Sequence, residues 1–588
     1  MCGIAGIMTA DGAAPDGAVL DAMEKALRHR GPDGNGRHAK GSVAFLQTRL
    51  AIIDLATGNQ PLYGPEGLAL VANGEIYNYI ELRAALADVA LKTKSDCELP
   101  LHLYHRYGLD FARYLRGMYA IALHDATAAR LVLARDPFGI KPLYYAETAQ
   151  AFIFASEPGA LIASGLVGAE LVPAARNELL QVQFTAGRDT VFKGIRRVLP
   201  GETLVIERGR IAARRQLAAL PEGGPQKMTE TAALEALDHA LQDSVNVHQR
   251  ADVPYGMFLS GGIDSSSVLA MMARLNRAPV RAFTAGFSGT KVADERPLAR
   301  QVAQAFGAEH VEVEFGEEDF WRLLPAIARA MDDPTADYAI LPTYKLAATA
   351  HAAGLKVILS GEGGDELFGG YGRYRRALRP WWRGGRRMRG HGTLEDLGIL
   401  RRPLEGWRAG MAASEREAKG PGRTRLQIAQ ATDCVDWLPN DLLTKLDRCL
   451  MAHGVEGRTP FLDPIVAAFA FRLPDRLKVQ NGLGKYLLRR WLSDRAPMAE
   501  PFSRKRGFTV PVGEWIARRG AQLGPLVAAQ EGVREICKPK AVERLFCHVN
   551  KHTGTAAWTL LFYALWHRRH IEGRILPPDV FAALADRK

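Results

Sequence analysis

The 588-residue chain is poor in cysteine and has no long apolar run. Its six cysteines, Cys2, Cys97, Cys434, Cys449, Cys537 and Cys547, are scattered and form no CxxC pair. That excludes a disulfide framework and a thiolate zinc site, and it suits a reducing compartment. No stretch approaches the roughly 18 consecutive apolar residues that a membrane span needs. The opening residues, MCGIAGIMTADGAAPDG, lack the basic and apolar regions of a signal peptide, so a cytoplasmic protein without a membrane partner is expected. A Walker A loop is missing as well, because Tyr486 follows Gly484-Lys485 where the motif needs the aliphatic hydroxyl of Ser or Thr. Chemistry at a γ-phosphate, as in kinases, is therefore disfavoured.

What is present is ordinary for a globular protein: 47% hydrophobic and 24% charged residues. The length exceeds what one core serves, so two or more domains are expected. The net charge of +12 permits an anionic partner. Much of the excess lies in YGRYRRALRPWWRGGRRMRG, Tyr371 to Gly390. This stretch reads as a solvated basic segment, as help in neutralising nucleotide phosphates, or as a nucleic-acid surface. Two intact catalytic loops, described next, favour small-molecule partners and no nucleic acid.

Residues 1 to about 210 hold short strand-like runs, SVAFLQTRLAIIDL, GLALVANGEIYN, MYAIALHD, ARLVLARDPFG, PLYYA and AFIFAS, punctuated by Gly, Pro, Asp and Asn. Leu199 to Gln216 resembles a last hairpin and Pro221 to Gln226 a linker. From Thr229 helical spacing takes over, then strands (VPYGMFLS, VRAFTAGF, KVILS) alternate with helices. That alternation predicts a parallel sheet with helices on both faces, followed after about residue 395 by helices and loops.

Cys2 becomes a terminal residue if Met1 is removed, which joins a thiol to a free α-amine of pKa about 7.7–8.0. Such an amine can take the thiol proton and later return it to leaving ammonia. Downstream, Asn73 and the Gly74 N–H offer an oxyanion hole. Arg49 offers a cation for the carboxylate of an amino-acid substrate, and Asp96 an anion for its amino group.

Farther on, Phe258-Leu259-Ser260-Gly261-Gly262-Ile263-Asp264-Ser265-Ser266 joins a strand to a helix. Glycines let successive N–H groups close on an anion, with the helix start behind them. A second loop, Ser360-Gly361-Glu362-Gly363-Gly364-Asp365, follows the strand KVILS. Both belong beyond the carboxyl ends of a parallel sheet, where ligands sit. Asp264 and Asp365 offer carboxylates for Mg²⁺, and Glu362 a base for an attacking amine. SGGIDSS resembles the PP-loop of ATP pyrophosphatases, which cleave ATP between the α and β phosphates. The expected ATP-binding residues are Leu259, Ser260, Gly261, Gly262, Asp264 and Ser265, with Ser360 and Gly361.

The ordered set from MCGIAG through Asn73-Gly74-Glu75-Ile76-Tyr77-Asn78 to Arg135-Asp136-Pro137-Phe138-Gly139 resembles the glutaminase domain of class II amidotransferases. Continued through Lys445-Leu446-Asp447-Arg448, Glu456-Gly457-Arg458, Gly484-Lys485 and Arg504-Lys505-Arg506-Gly507-Phe508, it is similar to the asparagine synthetase (glutamine-hydrolysing) family over nearly the whole chain. The resemblance implies an N-terminal-nucleophile (Ntn) αββα sandwich over 1–210. Over 228–588 it implies a PP-loop ATP pyrophosphatase domain with a helical extension. It makes Cys2 the nucleophile, Asn73 and Gly74 the oxyanion hole, and Arg49, Glu75 and Asp96 the glutamine-binding residues. Lys485 would neutralise the α-phosphate as an adenylate forms. ATP and Mg²⁺ are the implied cofactors, aspartate the implied acceptor, and a homodimer is allowed. Another carboxylate, a sugar acid or secondary metabolite, is the alternative acceptor. His29-Arg30, Arg135-Asp136, Arg448, Glu456 and Arg458 read as structural charge networks. The chain departs from the family at Asp333-Pro334, where Glu-Pro is usual, at Ser156-Glu157-Pro158 and at Gln216.

Overall fold

The computed structural model describes residues 2–385, 387–503 and 509–586. Met1 and the Arg504–Phe508 motif lie outside the described residues. The amino-terminal part contributes β1 (Gly3–Thr9), β2 (Gly34–Lys40), β3 (Val43–Arg49), β4 (Leu62–Tyr63), β5 (Leu68–Ile76) and β6 (Gly117–Asp125). It continues with β7 (Arg130–Arg135), β8 (Tyr144–Glu147), β9 (Ala151–Ala155), β10 (Arg196–Arg197), β11 (Glu202–Glu207) and β12 (Arg210–Gln216). They form two antiparallel sheets, in the orders β10-β8-β9-β1-β3-β2 and β12-β11-β7-β6-β5-β4. Position 210, the expected boundary, is the first residue of β12.

Side-chain alternation explains why these strands are apolar on both faces. Ile4, Met8, Phe45, Val71, Ala120, Leu133 and Phe154 fill the space between the sheets. Their neighbours Ala5, Ile7 and Leu46 pack outward under the helix Gly17–Leu27, through Leu20, Met23 and Leu27. On the opposite outer face Leu70, Ala72 and Ile121 meet the helix Leu99–Tyr107. The result is an αββα sandwich.

The carboxyl-terminal part is built on a parallel sheet of β13 (Tyr255–Phe258), β14 (Arg281–Gly286), β15 (Glu309–Glu314), β16 (Val357–Leu359) and β17 (Glu456–Arg458). Its order is β15-β14-β13-β16-β17. Met257, Ala282, Val357 and Leu359 face the helices Glu230–His248, Ile263–Leu275 and Arg296–Ala305. Phe283, Ala285 and Ile358 face a second core that runs through Trp515, Trp558 and Trp566 of the helical extension. No helix among the described residues is long and apolar enough to cross a membrane.

Three readings of the sequence change. The run SVAFLQTRLAIIDL is a strand only as far as Arg49. Ile52 and Ile53 leave the sheet and join the core of the carboxyl-terminal half, with Val245, Val247 and Met257. Two strands were not legible. β15 alternates Glu with His and Val at a sheet edge, and the three residues of β17 bury charges rather than apolar side chains. Nor is the basic stretch simply solvated, because Arg373 and Arg389 both ion-pair with the buried Asp433, at 2.7 and 2.8 Å.

Candidate active site

Cys2 is buried at the head of β1, on the side that carries Ile4 and Met8 between the sheets. Asn73 and Glu75 share the inward parity of Ala69 and Val71 on β5, so the strand delivers both toward the cysteine. The backbone N–H of Cys2 donates to Asn73 Oδ1 at 3.0 Å. That bond orients the amide and leaves Nδ2, buried and without a partner, as an open donor. Backbone alternation supplies a second one. On the same edge of β5, Ala72 N–H donates to Gln60 Oε1 at 2.6 Å and Ile76 N–H to Asp96 Oδ2 at 2.7 Å. Tyr119, opposite Gly74, turns its own N–H and carbonyl to Asp136. The Gly74 N–H therefore points to the open edge, between its two satisfied neighbours. Position 74 must be glycine, since a Cβ would lie 2.2 Å from the Met118 carbonyl oxygen.

Burial pushes the Cys2 thiol above its usual range, with the Leu50 N–H and Arg49 pulling the other way. Arg49 is held by the Asp54 carbonyl at 2.6 Å and Asn59 Oδ1 at 2.7 Å. Asp96 is raised by burial, against the Ile76 and Cys97 N–H groups that bond it. Glu75 is raised well above the carboxylate range by burial, then by Glu456 and Asp96; Arg458, 3.4 Å away, opposes them. Glu75 and Arg49 both act on the Cys2 thiol and Asp96 acts on Glu75, so these side chains lie together around the cysteine.

The second site forms where the two glycine loops meet. Gly261 takes φ +68°, and the helix Ile263–Leu275 starts two residues later. Ser260 Oγ and Ser265 Oγ lie 3.0 Å apart, and the Gly262 N–H donates to Ser260 Oγ at 3.3 Å. Gly361 packs so tightly that a Cβ would be 3.0 Å from Asp264 Cβ. Lys485, at φ +58°, sends Nζ to Asp264 and to Asp365 Oδ1, the latter at 2.7 Å. Burial disfavours that ammonium, and the two carboxylates overcome the penalty. Ser360 Oγ donates to Glu362 Oε2 at 3.1 Å; burial raises Glu362, with Lys445 the first charge opposing it.

Between the sites lies a buried ion network. Arg30 reaches Glu157 at 2.7 Å and Asp447 at 2.8 Å, and Arg448 reaches Asp332 at 2.7 Å and Asp447 at 3.0 Å. Asp333, one of the departures from the family pattern, takes both Arg197 and the Tyr144 hydroxyl, at 2.7 and 2.8 Å. Arg458 joins the halves directly: its side chain faces Glu75, and its carbonyl accepts the Ser360 N–H at 2.8 Å.

Residues 236–568 match the asparagine synthase family, and residues 1–216 match the glutamine amidotransferase domain. The chain belongs to the asparagine synthase family. A putative glutamine-hydrolyzing asparagine synthetase of Mycobacterium tuberculosis is 34% identical, with 98% of each chain covered. Glutamine-hydrolyzing asparagine synthetase 1 of Bacillus subtilis is 32% identical over 99% of this chain and 98% of its own. The amidase chry2 of Gibberella zeae is 33% identical over 64% of this chain and 60% of its own. The protein is thus a ligase, a glutamine-dependent amidotransferase of the asparagine synthase type.

Members of the asparagine synthase family use ATP, and the loops fit its phosphates through their N–H groups and serine hydroxyls. For Mg²⁺ the test is the donor set. Among the described residues no cluster of three or more His, Cys, Asp or Glu side chains could hold a metal alone. Asp264 and Asp365 already share one cation, the Lys485 ammonium, so they can share another when phosphates complete its shell. The pair fits. Sequence reasoning passed over Asp337, Asp441 and Lys445, which gather beside Glu362; Lys445 in its Lys-x-Asp-Arg string was the available signal.

Proposed function

We propose that the chain moves ammonia from glutamine to a carboxylate activated by ATP, with aspartate as acceptor and asparagine, glutamate, AMP and pyrophosphate as products. With Met1 removed, the Cys2 amine takes the thiol proton and the sulfur attacks the glutamine amide. Asn73 Nδ2 and the Gly74 N–H receive the oxyanion, while Arg49, Glu75 and Asp96 hold the amino-acid end. Water hydrolyses the thioester. At the other site the acceptor carboxylate attacks the α-phosphorus, because an unactivated carboxylate resists a neutral amine. Lys485 balances charge there, and Glu362 accepts a proton from ammonia. Magnesium, when bound at Asp264 and Asp365, supplies further neutralisation of phosphate charge.

The observation that carries this reading is the Asn73 amide, aimed by the Cys2 N–H so that its own donor stays open beside the sulfur. Likeness to the amidase chry2 favours a second reading, the same chemistry on a different carboxylate. Cys2→Ala should abolish asparagine formation from glutamine and keep formation from ammonium salts, followed by amino-acid analysis. Loss of both together would contradict two separable sites.

A further inference from the structure

Lys478 is fully buried and takes no part in the chemistry above. Its Nζ donates to Gln430 Oε1 at 3.0 Å and to the Phe471 carbonyl at 2.9 Å, both neutral acceptors. Burial pushes its amine down to about 7, with Asp475 the first charge opposing that shift. A neutral amine has two N–H groups, and these two acceptors occupy both. Taking an amine out of water is costly, so its place calls for a reason.

What stands behind Gln430 supplies one. Gln430 is buried as well, and its Nε2 donates to the Glu366 carbonyl at 2.7 Å and the Leu367 carbonyl at 2.6 Å. Both carbonyls belong to the helix Gly364–Phe368, which at five residues must find partners for them outside itself. The Gly370 N–H takes the Asp365 carbonyl at 2.8 Å, and the Lys485 N–H takes the Phe368 carbonyl at 3.0 Å. Two of these four carbonyls therefore depend on one side-chain amide. A donating amine can face only the oxygen of that amide, so Lys478 fixes which end of Gln430 meets the helix.

The same lysine stands at the root of the arm that carries Lys485. It ends the helix Asp475–Lys478, and the hairpin of Val479–Gln480 and Leu483–Gly484 runs from it to Lys485. A Cβ on Gly369, at φ +73°, would lie 3.3 Å from Val479 Cγ2 and 3.6 Å from Lys478 Cβ. The end of the short helix thus rests on the root of the hairpin. Asp365 rides on the helix, Lys485 follows the hairpin, and the two meet at 2.7 Å. One buried amine bears on both parts and is bonded to neither charge.

We propose that Lys478, acting through Gln430, is a positioning residue that sets the separation of Asp365 and Lys485. This deepens the reading above and rests on it.

The test is pyrophosphate release by the full-length enzyme with ATP, ammonium and aspartate over a range of Mg²⁺, beside glutamate release from glutamine. Lys478→Met and Gln430→Leu should each lower kcat for pyrophosphate by about 10- to 100-fold, as misplacing a group does without removing it. Half-saturating Mg²⁺ should rise, while KM for aspartate and glutamate release stay as in the parent. The double variant should be no worse than the poorer single, because the two side chains act as one chain. Lys478→Arg, which can still donate to both acceptors, should recover part of the loss. A lysine that merely holds the fold would lower both activities together and leave the Mg²⁺ requirement alone; that result overturns the proposal. So do penalties that multiply in the double variant, or pyrophosphate release unchanged in both singles. If Lys478→Met fails to fold, Gln430→Glu decides, since it keeps the shape and the acceptor for Lys478 but lacks the amide donors. An unchanged rate and Mg²⁺ requirement in that variant overturn the proposal. Absence of pyrophosphate from the unsubstituted enzyme would instead overturn the underlying reading, and the positioning role with it.

Discussion

At the scale of single residues, the proposed glutamine site turns on how one amide is held. Asn73 accepts from the Cys2 N–H through Oδ1, so only Nδ2 can face a developing oxyanion. Asn73→Ala should lower glutamine-dependent kcat by about 10²–10³, as loss of an oxyanion donor does elsewhere. Glutamate release measures this, and turnover with ammonium is the control that should not change. Cys2, Asn73, Gly74, Arg49, Glu75 and Asp96 can all be picked from the order of motifs in the sequence. The amide's orientation cannot, because it depends on a hydrogen bond across 71 positions. Nor can the surroundings of Glu75, which burial raises first and on which Glu456 and Arg458 from the other half of the chain then act in opposite senses.

At the scale of elements, the proposed ATP site depends on backbones that approach too closely for a side chain. A Cβ on Gly370 would fall 1.9 Å from Asp365 Oδ1 and 2.3 Å from Lys485 Cε. Gly370→Ala should therefore displace the lysine from its two carboxylates. Pyrophosphate release should fall by about 100-fold with either nitrogen source, the size expected of an ångström-scale misplacement, while glutaminase activity persists. The central strands β13, β14 and β16 were legible because they are short apolar runs ending in glycine loops. The edge strand β17 was not, since Glu456 and Arg458 pair with each other at 2.6 Å and leave no apolar pattern to read. AIIDL misled for the opposite reason: its apolar residues serve the junction between halves rather than a sheet.

At the scale of the whole molecule, the two halves meet through charges withdrawn from water. Arg448 is 1% exposed and spans Asp332, Asp447 and, at 3.8 Å, Glu157. Arg448→Met should cost about 3–5 kcal/mol, the usual penalty for stranding a buried partner, read as a lower urea midpoint. Adding Asp332→Asn should recover part of it. The sequence reading of Arg30 and Arg448 as members of structural charge networks agrees with this, but their partners were not visible, because Arg30 and Asp447 stand 417 positions apart. Apolar faces tolerate small slips in register, but a lattice of paired ions closes in one alignment only, as a key does in its lock. Either half cut free would therefore present bare acids and guanidinium groups where its mate had been. The distance between the thiol and the nucleotide loops is thus a built-in dimension of the chain, set by its seam rather than by whatever it binds.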